Sequence, residues 1–118
     1  MQITPLAENC AALITLPKQL VIEQTPTIRA AILQLLSQGV SHLILDLHNI
    51  EKVDASGLSI FITVMNQAQK QQGNILLLSP PHNVKALIEL TELHFIFDIY
   101  ENKSAAIKFI TRQCQLVL

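Results

Sequence analysis

Of all the residues in this chain, Ser56 is best placed to do chemistry. It sits in the word Val53-Asp54-Ala55-Ser56-Gly57-Leu58, between two very different stretches. Upstream, Leu43-Ile44-Leu45-Asp46-Leu47 reads as a buried strand closed by the turn-prone His48-Asn49. Downstream, Leu58, Phe61, Ile62, Met65 and Ala68 recur at helical spacing. The hydroxyl therefore falls at a helix N-terminus, among backbone N–H groups that lack intrahelical partners. A phosphate attached there meets donors and the positive end of the macrodipole. Serine is also a preferred helix cap, so the residue types alone fit a structural hydroxyl as well as a modified one. Asp54 has the same two readings: it can cap the helix through the N–H of Ser56 or Gly57, or orient the Ser56 hydroxyl. Gly57 either leaves space beside that hydroxyl or loosens the first turn.

Other chemistries find less support. A serine-hydrolase elbow needs glycine two residues before the nucleophile, where Asp54 stands. There is no glycine-rich phosphate loop. His42, His48, His82 and His94 are scattered without metal-ligand or catalytic spacing, and they read as surface or internally satisfied rings. Cys10 and Cys114 lie far apart in the chain and read as two reduced thiols. No catalytic residue, metal site or cofactor is expected. Leu58, Phe61 and Met65 form a stripe that is core by default, and Ser59 reads as a solvent-facing or capping hydroxyl.

The elements that must position Ser56 follow from periodicity. Ile3–Leu6 and Ala11–Leu16, separated by Glu8-Asn9, predict an opening hairpin. Thr25 is expected to cap a helix with Pro26 at its first position. Ile28, Ala31, Ile32, Leu35 and Leu36 would be its buried face and Gly39 its stop. Val40–Leu47 is apolar at almost every residue, which predicts a strand covered on both faces. The helix after Ser56 is expected to run to about Gln72 and end at Gly73. Ile75–Leu78 predicts a further strand, and Asn83 a cap for a helix carrying Val84, Leu87, Ile88 and Leu90. Phe95-Ile96-Phe97 predicts a short strand, followed by a last helix from near Asn102. The closing Leu116-Val117-Leu118 could extend that helix, dock on the sheet or meet a partner. Strands alternating with helices give an α/β fold in one domain spanning residues 1–118.

Composition narrows the partners. Hydrophobic residues make up 50% of the 118 and charged ones 14%, against about 25% charged in typical domains. Such a chain folds, and its sparse charge predicts a partly apolar contact face. A net charge of -1 offers no basic stripe for nucleic acid. No apolar run approaches the length needed to insert in a membrane, and Met1–Pro5 lacks the features of a secretion signal. A cytoplasmic domain is expected.

The order of these elements and four local words resemble the STAS domain family, typified by bacterial anti-sigma-factor antagonists. The strongest word is the one around Ser56, similar to the family's Asp-Ser-Ser-Gly-Leu. Leu45-Asp46-Leu47, Leu87-Ile88-Glu89-Leu90-Thr91-Glu92-Leu93 and the helix-opening Pro26 support it, and the resemblance runs from about Ile3 to Ile110. It implies a mixed β-sheet with an opening hairpin and about four helices packed against it. It also implies that Ser56 is the phosphorylation site, flanked by Asp54, Ala55, Gly57 and Leu58. The implied partners are an anti-sigma serine kinase, which supplies nucleotide and metal, and a serine phosphatase. A second copy of the chain is a further candidate partner. Ala55 stands where the family has its first serine, and Lys18-Gln19-Leu20-Val21 where Gly-Glu-Leu-Asp is common. A second branch of the family, small cytoplasmic subunits of phospholipid-trafficking ABC transporters, would instead use the fold as a permanent grip on an ATPase subunit.

Overall fold

The computed structural model describes residues 1–116. Beyond the helical backbone of Leu116, the closing Leu116-Val117-Leu118 segment lies outside them. The chain opens with β1 (Gln2–Leu6) and β2 (Ala11–Thr15), an antiparallel hairpin whose turn holds Ala7, Glu8 and Asn9 at positive φ. A two-residue strand β3 (Gln19–Leu20) leads to α1 (Thr25–Ser37). Next come β4 (His42–Asp46), the short β5 (Lys52–Val53) and α2 (Ala55–Lys70). The chain finishes with β6 (Ile75–Leu78), α3 (His82–Leu90), β7 (Asp98–Tyr100) and α4 (Lys103–Leu116).

Five strands form one sheet in the order β1-β2-β4-β6-β7, parallel except for β1, while β3 and β5 pair in a small parallel sheet. Strand alternation divides the core between two faces. Leu43, Leu45, Ile75 and Leu77 pack with Ile32, Phe61, Val64 and Ile88 of the first three helices. Ala11, Leu13, Ile44, Leu76 and Leu78 pack with Ala106 and Ile110 of α4 on the other. Coverage on both faces accounts for the uninterrupted apolar runs of β4 and β6. Leu58, Phe61 and Met65 are all buried, so the stripe on α2 is core.

Several helix ends differ from expectation, each for a local reason. Thr25 lies inside α1 and is fully buried, while Gln24 occupies the cap position without a side-chain bond. Gly39, at φ 103, does end α1: its N–H and that of Val40 bond back to Leu36 and Leu35. At the end of α2 the left-handed residue is Gln72 (φ 61), not Gly73. Gly73 is required instead because a Cβ there would overlap the Ser41 carbonyl. Pro81 caps α3, and Asn83 donates to the Glu51 carbonyl at 3.2 Å. Leu90 is exposed rather than part of that helix's buried face. Residues Leu93–Phe95 form a 3-10 turn, and the strand begins only at Asp98. Asn102 accepts from the Ala105 N–H at 2.9 Å and so opens α4 as expected.

Candidate functional site

Between β5 and α2 one residue turns the chain from sheet to helix. Asp54 has extended backbone and serves as the N-cap of α2. Its Oδ1 accepts the Gly57 N–H at 3.1 Å and the Ser56 hydroxyl at 2.5 Å, while Oδ2 accepts the Ile22 N–H at 3.0 Å. The Ser56 hydroxyl and then the Gly57 and Ile22 amides hold this carboxyl below its ordinary range. The cap is thus Asp54, and the Ser56 hydroxyl is not consumed in capping. Its proton points to Asp54, and its oxygen receives the Thr25 hydroxyl at 3.3 Å. Ser56 is half-buried at the first turn of α2. Ser59 turns inward along the helix, donating to the Ser56 carbonyl at 2.7 Å.

Gly57 has a reason other than space for the hydroxyl. A Cβ there would overlap the Leu20 carbonyl oxygen and lie 2.8 Å from Val53 Cγ2. Glycine lets β3 ride directly on the first turn of α2, and β3 in turn brings the Ile22 N–H to Asp54. Ala55 is exposed beside Ser56, whereas Leu58 is buried beneath it. Lys18 and Val21 contribute through their backbones. The Lys18 carbonyl accepts from Glu51 and Lys52, and the Val21 carbonyl accepts from Gln24 and Thr25. The exposed Lys18–Glu51 contact at 3.9 Å adds little.

The surroundings are apolar for a surface. Ile22, next to the cap, is 58% exposed. A groove of about 360 Å³ between β5 and α3 is lined by Val53, Asn83, Ala86, Leu87 and Leu90 among others. Leu90 at its rim and Phe95 nearby in the chain stand 80% and 77% exposed. Thr25 and Ile22 were not foreseen as members of the site. Thr25 read as a helix cap, and Ile22 reaches Asp54 only because β3 pairs with β5.

At the opposite end of the sheet two expectations are overturned. Cys10 and Cys114 are not separate thiols: they form a disulfide, with Cα atoms 6.1 Å apart. Nor is His42 a surface or satisfied ring. It is 2% exposed; its Nδ1 accepts the Asn74 N–H at 3.0 Å, and its Nε2 has no partner. One of its ring nitrogens lies within 4.8 Å of both sulphurs. Sequence distance hid this cluster. Cys10 leads into β2 and His42 opens β4, whereas α4 runs back after β7 and carries Cys114 to the same end.

The strand order, the two-sided helical cover and a hydroxyl at the entrance of α2 define an α/β domain that presents one serine at the C-terminal edge of its parallel strands. The chain belongs to the STAS domain family, whose model matches residues 3–106. A Thermotoga maritima protein named "Putative anti-sigma factor antagonist" is 26% identical over 80 residues, 68% of this chain and 71% of that protein. The fold is shared with the anti-sigma factor antagonist SpoIIAA in its unphosphorylated form. That match has a TM-score of 0.82 at 21% identity and covers 92% of this chain and 94% of the other. The phosphorylated form of the Bacillus protein SpoIIAA superposes with a TM-score of 0.75 at 21% identity, covering 92% and 97%.

Proposed function

We propose that this chain is a phosphorylation-switched anti-sigma-factor antagonist of the cytoplasm. It binds an anti-sigma serine kinase while Ser56 is unmodified, is released once Ser56 is phosphorylated, and is reset by a serine phosphatase. The chain itself performs no catalysis; it supplies the acceptor and the docking face. The observation that carries this reading is the state of the Ser56 oxygen. It is half-buried, held by Asp54 through its proton and by Thr25 through a lone pair, and it opens the first turn of α2 beside exposed Ile22 and Ala55.

The chemistry of the switch follows from those contacts. Phosphorylation replaces the proton that Ser56 shares with Asp54, so that hydrogen bond is lost. A group of charge about -1.5 to -2 then stands beside a carboxylate that stays ionised, and the two repel. The α2 amides favour the new charge, but a partner surface fitted to a neutral hydroxyl and to Ile22 has to desolvate a dianion. A loss of about 3 kcal/mol at that contact lowers affinity roughly a hundredfold, sufficient for release.

Substitution tests it directly. With a serine kinase encoded beside the gene, Ser56→Ala retains binding and takes no phosphate from ATP. Ser56→Asp keeps the far-ultraviolet dichroism of the parent and loses the kinase in a pull-down. Equal capture of both variants, or phosphate mapped by mass spectrometry to another residue, overturns the reading.

A further inference from the structure

The cluster at the far end of the sheet has a feature that a passive cross-link does not call for. We propose that Cys10 and Cys114 are a thiol–disulfide exchange site, with His42 as the hydrogen-bond donor that stabilises the Cys10 thiolate, reacting with small neutral disulfides and thiols.

The first support is the orphaned ring. Nδ1 of His42 accepts from the Asn74 N–H, so the neutral ring carries its proton on Nε2. Burial pushes His42 below its ordinary pKa and keeps the ring neutral. That Nε2–H is buried with no acceptor, and buried donors almost always have one. A disulfide sulphur is a poor acceptor and a thiolate a strong one; with a ring nitrogen of His42 within 4.8 Å of both sulphurs, reduction of that bond would supply the missing partner. Ser41, whose Oγ lies 3.9 Å from Cys10 Sγ, is a second donor on the same side. Cys114 instead lies in the last turn of α4, where the helix end disfavours negative charge. Cys10 is therefore the nucleophile and Cys114 the resolving thiol.

The same tautomer argues against a metal centre. A ring that accepts at Nδ1 and is protonated at Nε2 has no free lone pair for an ion. Access is the second support. Both cysteines line an open cleft of about 460 Å³ together with Ala7, Glu8, Thr111 and Gln115. Glu8 is the one charged side chain among those lining residues, which favours neutral reagents over anionic ones.

The exchange balances. The Cys10 thiolate attacks one sulphur of a small disulfide RSSR, forming a mixed disulfide and expelling RS⁻, which takes a proton from water. The Cys114 thiol then loses its proton to solvent and attacks Cys10 Sγ. The Cys10–Cys114 bond forms and a second RS⁻ leaves and is protonated. The two cysteines are oxidised by two electrons and RSSR is reduced to two RSH. Oxidation ties the start of β2 to the last turn of α4, the helix that covers one face of the sheet alone.

The test uses the full chain, reduced and freed of reductant, with thiols counted by mass after alkylation. Neutral hydroxyethyl disulfide should oxidise it faster than anionic oxidised glutathione, and Cys114→Ser should stop at a mixed disulfide on Cys10. His42→Asn keeps an acceptor for Asn74 but removes the Nε2–H. It should slow exchange about three- to fourfold at neutral pH, the loss of thiolate being partly offset by greater nucleophilicity, and move the pH–rate profile up by about one unit. Three results overturn the proposal. The parent disulfide could persist in millimolar reduced glutathione, the mark of a structural cross-link. The His42→Asn profile could match the parent's. The reduced protein could bind Zn²⁺ stoichiometrically through His42. If His42→Asn does not fold, the glutathione equilibrium and the Cys114→Ser adduct still decide the matter.

Discussion

Replacing Gly57 by alanine separates local helix preference from the tertiary contact that builds the site. In an isolated helix the substitution gains up to about 1 kcal/mol, because glycine is the poorer helix former. Here the new methyl would overlap the Leu20 carbonyl oxygen and press on Val53 Cγ2 at 2.8 Å and Leu20 Cγ at 3.0 Å. Leu20 is fully buried and β3 pairs with β5, so neither backbone can give way cheaply. Overpacking of this kind costs about 1–3 kcal/mol. The Leu20 carbonyl also accepts the Asp54 N–H at 3.3 Å, and losing that bond costs about 1 kcal/mol more. The net expectation is a loss of about 2 kcal/mol, or about 8 °C in melting temperature for a domain of this size. Urea and thermal melts of the two proteins measure it, with hydrogen exchange at the Asp54 amide reporting whether the entrance to α2 has opened. Because the main overlap is with a main-chain oxygen, trimming Leu20 to alanine should not rescue the variant. A Gly57→Ala protein as stable as its parent, or more so, refutes the close approach of β3 to α2 and with it the delivery of Ile22 to Asp54.

Two further outcomes follow from the same contacts. Asp54 titrates below its ordinary value of 3.8 in the folded protein, held down first by the Ser56 hydroxyl. A depressed carboxyl stabilises the fold above its unfolded pKa and loses that contribution as pH falls through the folded value. The Ile22 and Gly57 amide resonances should therefore shift together with a midpoint below pH 3.8, and should stay flat in Asp54→Asn; a midpoint above that value contradicts the capping geometry. Thr25→Val keeps the buried shape but removes the hydroxyl shared between Ser56 Oγ at 3.3 Å and the Ile22 carbonyl at 3.5 Å. It should cost about 1 kcal/mol in a urea melt, and an unchanged midpoint would mean that neither bond contributes.

What could be read from the residues alone divides along a physical line. The hairpin, the buried strands and the helical stripes were legible because each is set by local periodicity: β4 and β6 carry unbroken apolar runs, and α2 repeats its apolar residues every three or four positions. Gly39 was legible for the same reason, since a positive φ at a helix end is a one-residue requirement. The two-residue strands β3 and β5 were not, being too short for any period, and they exist because Gln19 and Leu20 meet Lys52 and Val53 across the fold. Asn83 and Thr25 have the residue types of caps, yet tertiary partners claimed their side chains: the Glu51 carbonyl in one case and Ser56 in the other.

The two clusters show why proximity in the chain found one and missed the other. The hydrogen bonds that join Asp54, Ser56 and Gly57 to one another lie within a single helical turn, so their spacing is the signal. Cys10, His42 and Cys114 come from the start of β2, the start of β4 and the end of α4. Their meeting depends on parallel strands aligning their N-termini and on a return helix ending above them. That alignment also sets the two clusters at opposite ends of the same strands, with Leu43, Ile44 and Leu45 fully buried between them. Ser56 and its partners Asp54 and Thr25 belong to α2 and its cap and to α1, which pack on one face of the sheet, whereas Cys114 belongs to α4 on the other. Oxidation of the cysteines is accordingly expected to act through the docking of α4, leaving the hydrogen bonds of Ser56 with Asp54 and Thr25 as they are.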